Sequence, residues 1–331
     1  MQKSHRSITN IAEPLIQSKP FRRLYNVTFL GILSPRFSRL PDHPLSSKKQ
    51  SSTQPIKDDE SRAHHSLGVA KIVLRFCELF SLTEQTRKYA AAWALLHDIA
   101  TWPLSHTSEA AFSSITGLSH KALRRKMVIG DASLSKEYWL ENAIREMGVN
   151  PNVVVVLFDK NDKPNDSRLD LLHSFIHSAI TPDTLEGICR SRRALGIDVS
   201  SPNDVLASFE RDLLDTMIVR EHSKPVLKFM REKKEVYEKY INSQSAIKYE
   251  SRWMDAIKIL YESISLTESL ELMEDEVVEK VCQSGLPEFR AIGRYKAPQR
   301  YVIDRTLNKK RMLLGDLKLE DLDEIFHSER K

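Results

Sequence analysis

Between residues 65 and 80 the chain reads HSLGVAKIVLRFCELF, and its apolar residues recur every three or four positions. Val69, Val73, Phe76 and Phe80 mark one line, with Ala70, Leu74 and Cys77 beside it, so this segment forms a helix buried along a broad face. The same period continues beyond it. Thr83 is placed to cap a second helix running through YAAAWALLHD, with Tyr89, Trp93 and Leu96 on one face. Residues 119–129, 134–148, 245–264 and 273–283 carry helical patterns. VVVVLF at 153–158 has strand composition but follows Asn150-Pro151-Asn152, a good helix start. Residues 208–243 read as one or two long helices, with Pro225 a kink or break. FRRLYNVTFLGIL has the spacing of a short helix ending near Gly31. No pair of alternating strands joined by a hairpin turn stands out, and ten Gly in 331 residues favour helices over turn-rich β structure. The expected fold class is mainly α.

Residues 34–61 contain seven Ser and four Pro, which predicts a long mobile loop leading into Arg62. Residues 294–311 hold seven basic side chains and one acidic one, either a phosphate-binding stretch or a solvated surface. The net charge of +5 permits an anionic substrate without requiring one. No run of about 18 apolar residues suggests a membrane span, and MQKSHRSITNIAEPL lacks the apolar stretch of a secretion signal. Cys77, Cys189 and Cys282 are odd in number and far apart, which fits a reducing, cytoplasmic setting better than a disulfide framework.

Four polar positions stand among the apolar helical segments: His65, the pair His97-Asp98, and Asp183. Imidazole nitrogen and carboxylate oxygen together suit one borderline divalent cation, which polarises a phosphoryl oxygen and lowers the pKa of water. Each position also has a plainer reading. His65 could cap a helix, His97-Asp98 could be a polar helix end, and Asp183 after Pro182 is a ready helix-start residue.

The flanks carry a resemblance. RAHHSLGVA at 62–70 is similar to the R-x-x-H-S-L-G-V stretch of HD-superfamily phosphohydrolases, and HDIATWPLSH at 97–106 to their H-D-I-G-H-x-P-F-S-H. ITPDTLEGICRSRRALGI at 180–197 resembles their third motif, L-D-A-D-R-x-D-Y-L-x-R-D. FRRLYNVTFLG matches the helix before the first His, and RYVID at 300–304 a short C-terminal motif. The similarity is strongest to the branch of deoxynucleoside triphosphate triphosphohydrolases and covers residues 8–200 best. It implies an HD-domain helical core over residues 1–210, with residues 211–331 a helical C-terminal extension packed on it, and a homo-oligomer. It also implies that His65, His97, Asp98 and Asp183 hold one divalent ion (Mn, Fe, Mg or Zn). His64 competes with His65, but the family's His directly precedes S-L-G. Arg62 then falls on an Arg that touches phosphate, a task suited to a planar guanidinium, and Arg190 on another.

The departures bear on chemistry and substrate. The second His of H-D-x-x-H is Thr101, which cannot act as a general acid near neutral pH. His106 and His120 are the replacements, since a free imidazole titrates near pH 6.5. The family's sugar-reading Gln is Phe29. After the metal Asp the basic residue is Thr184, the Tyr is Gly187 and the late Asp is Ser191. The groups that grip a triphosphate and deoxyribose are gone, while the ligand set remains. Trp102 is placed to stack on a base or to pack in the wall. KALRRK at 121–126 brings Lys121 and Arg124 near His120, as a polyanion contact or an exposed face. Three functions stay open. The first is a nucleotide phosphohydrolase in which Asp98 orients water and His106 or His120 protonates the leaving oxygen. The second is a nuclease or phosphodiesterase on single-stranded or cyclic nucleic acid. The third is a binding protein without catalysis.

Overall fold

The structure, a computed structural model, describes residues 2–40, 42–45, 60–211, 217–219, 223–284 and 286. Fifteen α-helices and one short pair of strands make up its regular structure among the described residues, and none of these helices is long and apolar enough to cross a membrane. The striped segment forms the helix Arg62–Leu79, capped by Ser61, whose hydroxyl accepts from the His64 amide. Thr83 caps Glu84–Leu96 in the same way through the Thr86 amide. These two helices lie against each other, and Pro182–Ala194 packs across the first. Phe76, at the centre of the stripe, stacks on Phe175 with ring centroids 3.9 Å apart. The buried side chains form one continuous core that includes Trp102 and Trp253. Through it the later helix Gln244–Leu260 lies on His106–Thr116.

Several expectations change in detail. FRRLYNVTFLGIL is broken rather than one helix. The helix Lys19–Arg23 runs into a 3-10 turn, Leu24–Asn26; Thr28 then leaves helical geometry to pair with Ser61, and Gly31 starts another 3-10 turn at φ +57°. A side chain at Gly31 would press on the Leu104 carbonyl. Residues 134–148 hold only a 3-10 turn, Lys136–Tyr138, and the helix Glu141–Glu146, because the Leu140 amide is drawn back to the Met127 carbonyl. VVVVLF is helical, within Pro151–Leu157, under an Asn150 cap. The stretch 208–243 does contain a strand pair: Phe209–Arg211 runs antiparallel to Met217–Val219. Pro225 sits in the first turn of Lys224–Val236, where its missing N–H costs nothing, so it starts a helix instead of breaking one. A wider π-helical turn, Tyr237–Ile241, follows. Of the expected loop 34–61, the turn Pro35–Phe37 is packed, with Phe37 and His43 buried. Residues 46–59 and the basic stretch 294–311, with RYVID, lie outside the described residues.

One buried carboxylate ties the C-terminal helices to the front of the molecule. Glu274 Oε1 accepts from the Thr28 amide at 2.9 Å, the Thr28 hydroxyl at 3.1 Å and the Leu104 amide at 2.6 Å. Leu104 and Ser105 are consecutive non-glycine residues with positive φ, 61° and 51°. Such backbone costs on the order of 1–3 kcal/mol per residue and persists only where its surroundings hold it. The Ser105 hydroxyl donates to the Thr28 carbonyl, which completes the clamp.

Burial pushes the Glu274 carboxyl up to about 7, against the pull of its three donors and of Arg36. The folded state therefore binds this proton more tightly than the unfolded chain, where a Glu titrates near 4.3. Stability is greatest below about pH 4.5 as far as this group is concerned and is lost as pH rises through 7. Glu274→Gln keeps an acceptor and cannot ionise. Urea titrations at pH 5 and pH 8 should show the wild type losing ~3 kcal/mol relative to this variant, because the range from pH 5 to 7 lies between the unfolded and folded values and costs about 1.4 kcal/mol per pH unit.

Candidate metal centre

His65 leaves the first turn of Arg62–Leu79, while His97 and Asp98 stand where Glu84–Leu96 unwinds. Asp183 stands in the first turn of Pro182–Ala194, whose cap is the Thr181 hydroxyl, so Asp183 is not needed as the cap. Three packed helices thus deliver four side chains to one point. His65 Nε2 lies 3.1 Å from His97 Nε2, 3.1 Å from Asp183 Oδ1 and 3.7 Å from Asp98 Oδ2. His97 Nε2 is 3.5 Å from Asp98 Oδ2 and 3.7 Å from Asp183 Oδ1. His65, His97 and Asp98 alone form a buried cluster able to hold an ion. His64 is turned elsewhere, with Nδ1 2.8 Å from the Ser61 hydroxyl and its ring against Tyr25.

The far side of each imidazole fixes its proton. His65 Nδ1 is 2.5 Å from Glu186 Oε2, and His97 Nδ1 is 2.7 Å from the Ala94 carbonyl. Neither partner oxygen has a hydrogen to give while Glu186 is ionised, so each Nδ1 is the donor. In the neutral rings both Nε2 atoms are then bare lone pairs, aimed at one another and at two carboxylates. That arrangement fits a cation. Two donors each about 2.1 Å from one ion stand roughly 3.0–3.4 Å apart, close to the shorter separations here. Without a cation the charge must come from a proton. Burial opposes this at His65, but the carboxylates of Glu186 and Asp183 outweigh it and raise the ring to about 9. Burial likewise disfavours the ionised form of Asp98, while the Asp183 side chain stays half-exposed. The imidazoles of His97 and His65, with Arg62 beside Asp98, nevertheless hold both carboxyls well below the usual range.

Glu186 was not singled out by the sequence motifs, yet it orients the first histidine. It is 4% exposed and accepts from Arg190 Nη2 at 2.6 Å and Nε at 3.1 Å. A carboxylate behind a ligating histidine fixes its tautomer and raises its basicity. Gly68 makes room for it: a Cβ there would lie 2.7 Å from Glu186 Cδ. The recoverable signal is the pairing of a Glu one helical turn after Asp183 with a Gly one turn after His65.

The expected phosphate contacts divide. Arg62 lines the cavity beside the cluster, and its Nη1 donates to Asp98 at 2.6 Å, its Nε to the Ser105 hydroxyl and its Nη2 to the Phe29 carbonyl. Three of the five N–H groups of a guanidinium are used in this way, leaving two. Arg190 does not line the cavity. It is buried behind Glu186, with its other bond to the His64 carbonyl, so its expected phosphate contact gives way to a positioning role. Arg124 donates to the His97 carbonyl at 2.6 Å and covers the Phe158 ring, while Lys121 is exposed and outside the cavity wall. Trp102 is wholly buried against Phe112 and donates to Ser269, so no ring face is left for a base. Thr101 is buried. Phe29 packs on the His65 ring at 4.4 Å and under Arg62.

The two histidines considered for proton transfer differ. His106 is half-exposed, lies 3.3 Å from Glu109 and lines the cavity. His120 Nε2 is buried with no hydrogen-bond partner, and burial, with Arg124 nearby, pushes the ring down to about 4. It is therefore neutral at pH 7. Replacing Gly68 by Ala, or Glu186 by Gln, should disturb His65 without touching the ion. Calorimetric titration with Mn²⁺ should show affinity falling about 10- to 100-fold in each variant, the range seen when such outer partners are removed.

Residues 62–150 match the family model of the HD domain. No curated protein matches the chain. A hypothetical protein from Aquifex aeolicus has a similar structure, with TM-score 0.64 and 19% identity, over 94% of this chain and 79% of that one. A phosphohydrolase from Bacteroides thetaiotaomicron VPI-5482 gives TM-score 0.57 and 16% identity, over 82% of this chain and 65% of that one. At these identities the likeness is one of fold. An HD-domain match carrying His65, His97 and Asp98 thus sits inside a larger, mainly helical architecture shared with these two proteins, and Asp183 reaches the cluster from beyond the matched residues.

Proposed function

We propose that the protein is a metal-dependent phosphohydrolase acting on a phosphoester of a nucleotide, with His65, His97, Asp98 and Asp183 as ligands. The observation that carries this reading is the pair of imidazole Nε2 atoms 3.1 Å apart between two carboxylates. The HD-domain match and the fold shared with a phosphohydrolase support it. The mixed nitrogen and oxygen set suits Mn²⁺, Fe²⁺, Zn²⁺ or Mg²⁺. When bound, such an ion supplies Lewis-acid polarisation of the phosphoryl oxygen and a lowered pKa for water.

The chain's own groups supply the rest. Asp98 is held by Arg62 with its carboxylate at the cavity wall, where it orients the attacking water, whose proton leaves to solvent. The two remaining N–H groups of Arg62 offset charge growing on the equatorial oxygens of phosphorus. His106 gives a proton to the leaving oxygen, since it lines the cavity and is open to solvent for reprotonation. His120, neutral, buried at Nε2 and absent from the cavity wall, is not placed to give this proton.

The test is a panel of dNTPs, nucleoside monophosphates, short single-stranded DNA and RNA, and cyclic dinucleotides, with each of the four metals. Release of orthophosphate from a nucleotide is expected. Shortened oligomers would instead indicate a nuclease, and no reaction with any metal would remove the hydrolase reading. Asp98→Asn keeps the Arg62 contact and should lower turnover at least about a hundredfold, with cooperative unfolding preserved. Full activity in that variant would reject the ligand set.

A further inference from the structure

The wall of the cavity beside the cluster bears on what the substrate can be, given the hydrolase reading above. The cavity has a volume of about 170 Å³. Its charged lining among the described residues is Arg62 against Asp98, Asp183 and Glu250, with titratable His106 at the rim. Arg62 is already paired with Asp98. Glu250 is 4% exposed and accepts from the Thr107 hydroxyl at 2.9 Å. One divalent ion added to this set brings it near neutrality, which accommodates the phosphate placed on the ion. A second or third phosphate would meet carboxylates of like charge or apolar wall, and both are costly in a partly dehydrated site.

A second cavity of about 240 Å³ borders the first and shares Leu30, Leu33, Ser191 and Ile241 with it. It continues along Leu45, Leu195 and Val236, and its serine hydroxyls are engaged within the protein: Ser191 donates to the Gly187 carbonyl and Ser243 to the Tyr240 carbonyl, with Ser245 3.2 Å from Ser243. Among the described residues its one charged side chain, Lys239, is tied to Glu235 at 3.0 Å, and His43 is kept neutral because burial pushes it down to about 4. Between the two cavities the wall is the π-helical turn Tyr237–Ile241, which places Tyr237 on the first cavity and Ile241 on both. Single π turns of this kind recur at functional sites.

The geometry points to a substrate with a single phosphate, whose flat or apolar carbon part runs from the ion along Leu30, Leu33 and Ile241, with Tyr237 and Ile241 setting specificity. The carbon part is taken by contact rather than read by hydrogen bonds. Phosphomonoesters with aromatic bodies are therefore preferred over the same bodies carrying a triphosphate, and over small polar phosphomonoesters.

The test compares kcat/KM for AMP against ATP, and for 1-naphthyl phosphate against glycerol 3-phosphate, with Mn²⁺ in excess over nucleotide. Each ratio should be at least about tenfold in the wild type, the scale of apolar discrimination in a pocket. In Tyr237→Ser and Ile241→Ser the naphthyl-to-glycerol ratio should fall toward one, with cooperative unfolding as the control for folding. Calorimetry on the manganese-loaded protein, comparing naphthylmethyl phosphonate with α,β-methylene ATP, reads the same preference without turnover. Tighter binding of the phosphonate supports the inference even if no ester is cleaved, a result that would defeat only the hydrolase reading. ATP cleaved as fast as AMP, tighter binding of the ATP analogue, or wild-type and variant naphthyl ratios that do not differ would overturn it and leave the hydrolase reading standing.

Discussion

Two proton-free imidazole nitrogens aimed at each other and at two carboxylates cannot be left uncompensated in a protein interior. The helices Arg62–Leu79, Glu84–Leu96 and Pro182–Ala194 force that arrangement, because each presents its polar side chain at the point where the three meet. Compensation comes from a proton on His65, which explains its rise to about 9, or from a cation. Competition between these two predicts that protons and metal exclude one another at this site, as is usual where imidazole must be neutral to bind.

The supporting groups follow from the same constraint. Glu186 faces His65 from behind, Arg190 neutralises Glu186, and Gly68 leaves the space that Glu186 occupies. Asp98 has its own cation in Arg62, which also grips the turn at Ser105. These four charges, Glu186 with Arg190 and Asp98 with Arg62, thus each have a partner of opposite sign, the condition under which buried ionic groups are tolerated. Phe29 closes the arrangement by covering both His65 and Arg62, and so stands where a polar side chain would have faced a sugar.

The helical architecture was legible because its period is local. The stripe through Val69, Val73 and Phe76, the Thr83 cap and the Asn150 start each lie within a few residues. His65, His97, Asp98 and Asp183 were legible as candidates for a similar reason, since their flanking motifs are short. What escaped depends on contacts distant along the chain. Glu186 acquires its role only from a histidine 121 positions away, and Glu250 and Tyr237 reach the cavity only because the C-terminal helices fold back over it. The strands Phe209–Arg211 and Met217–Val219 are three residues each, too short for alternation to show. Arg190 carried a plausible phosphate-binding role until packing gave it an internal partner.

The Glu274 clamp gives the C-terminal helices a standing that sequence order hides. A single oxygen holds Thr28 and Leu104, so the strained Leu104-Ser105 backbone, and through Ser105 the guanidinium that steadies Asp98, rests on a residue far downstream. A fragment ending after the third motif, near residue 197, would contain every proposed ligand and still lack the acceptor that keeps the turn in place. The backbone that steadies Asp98 thus depends on a residue outside the stretch that supplies the proposed ligands, and any evolutionary trimming of the tail would first need a substitute for that one carboxylate.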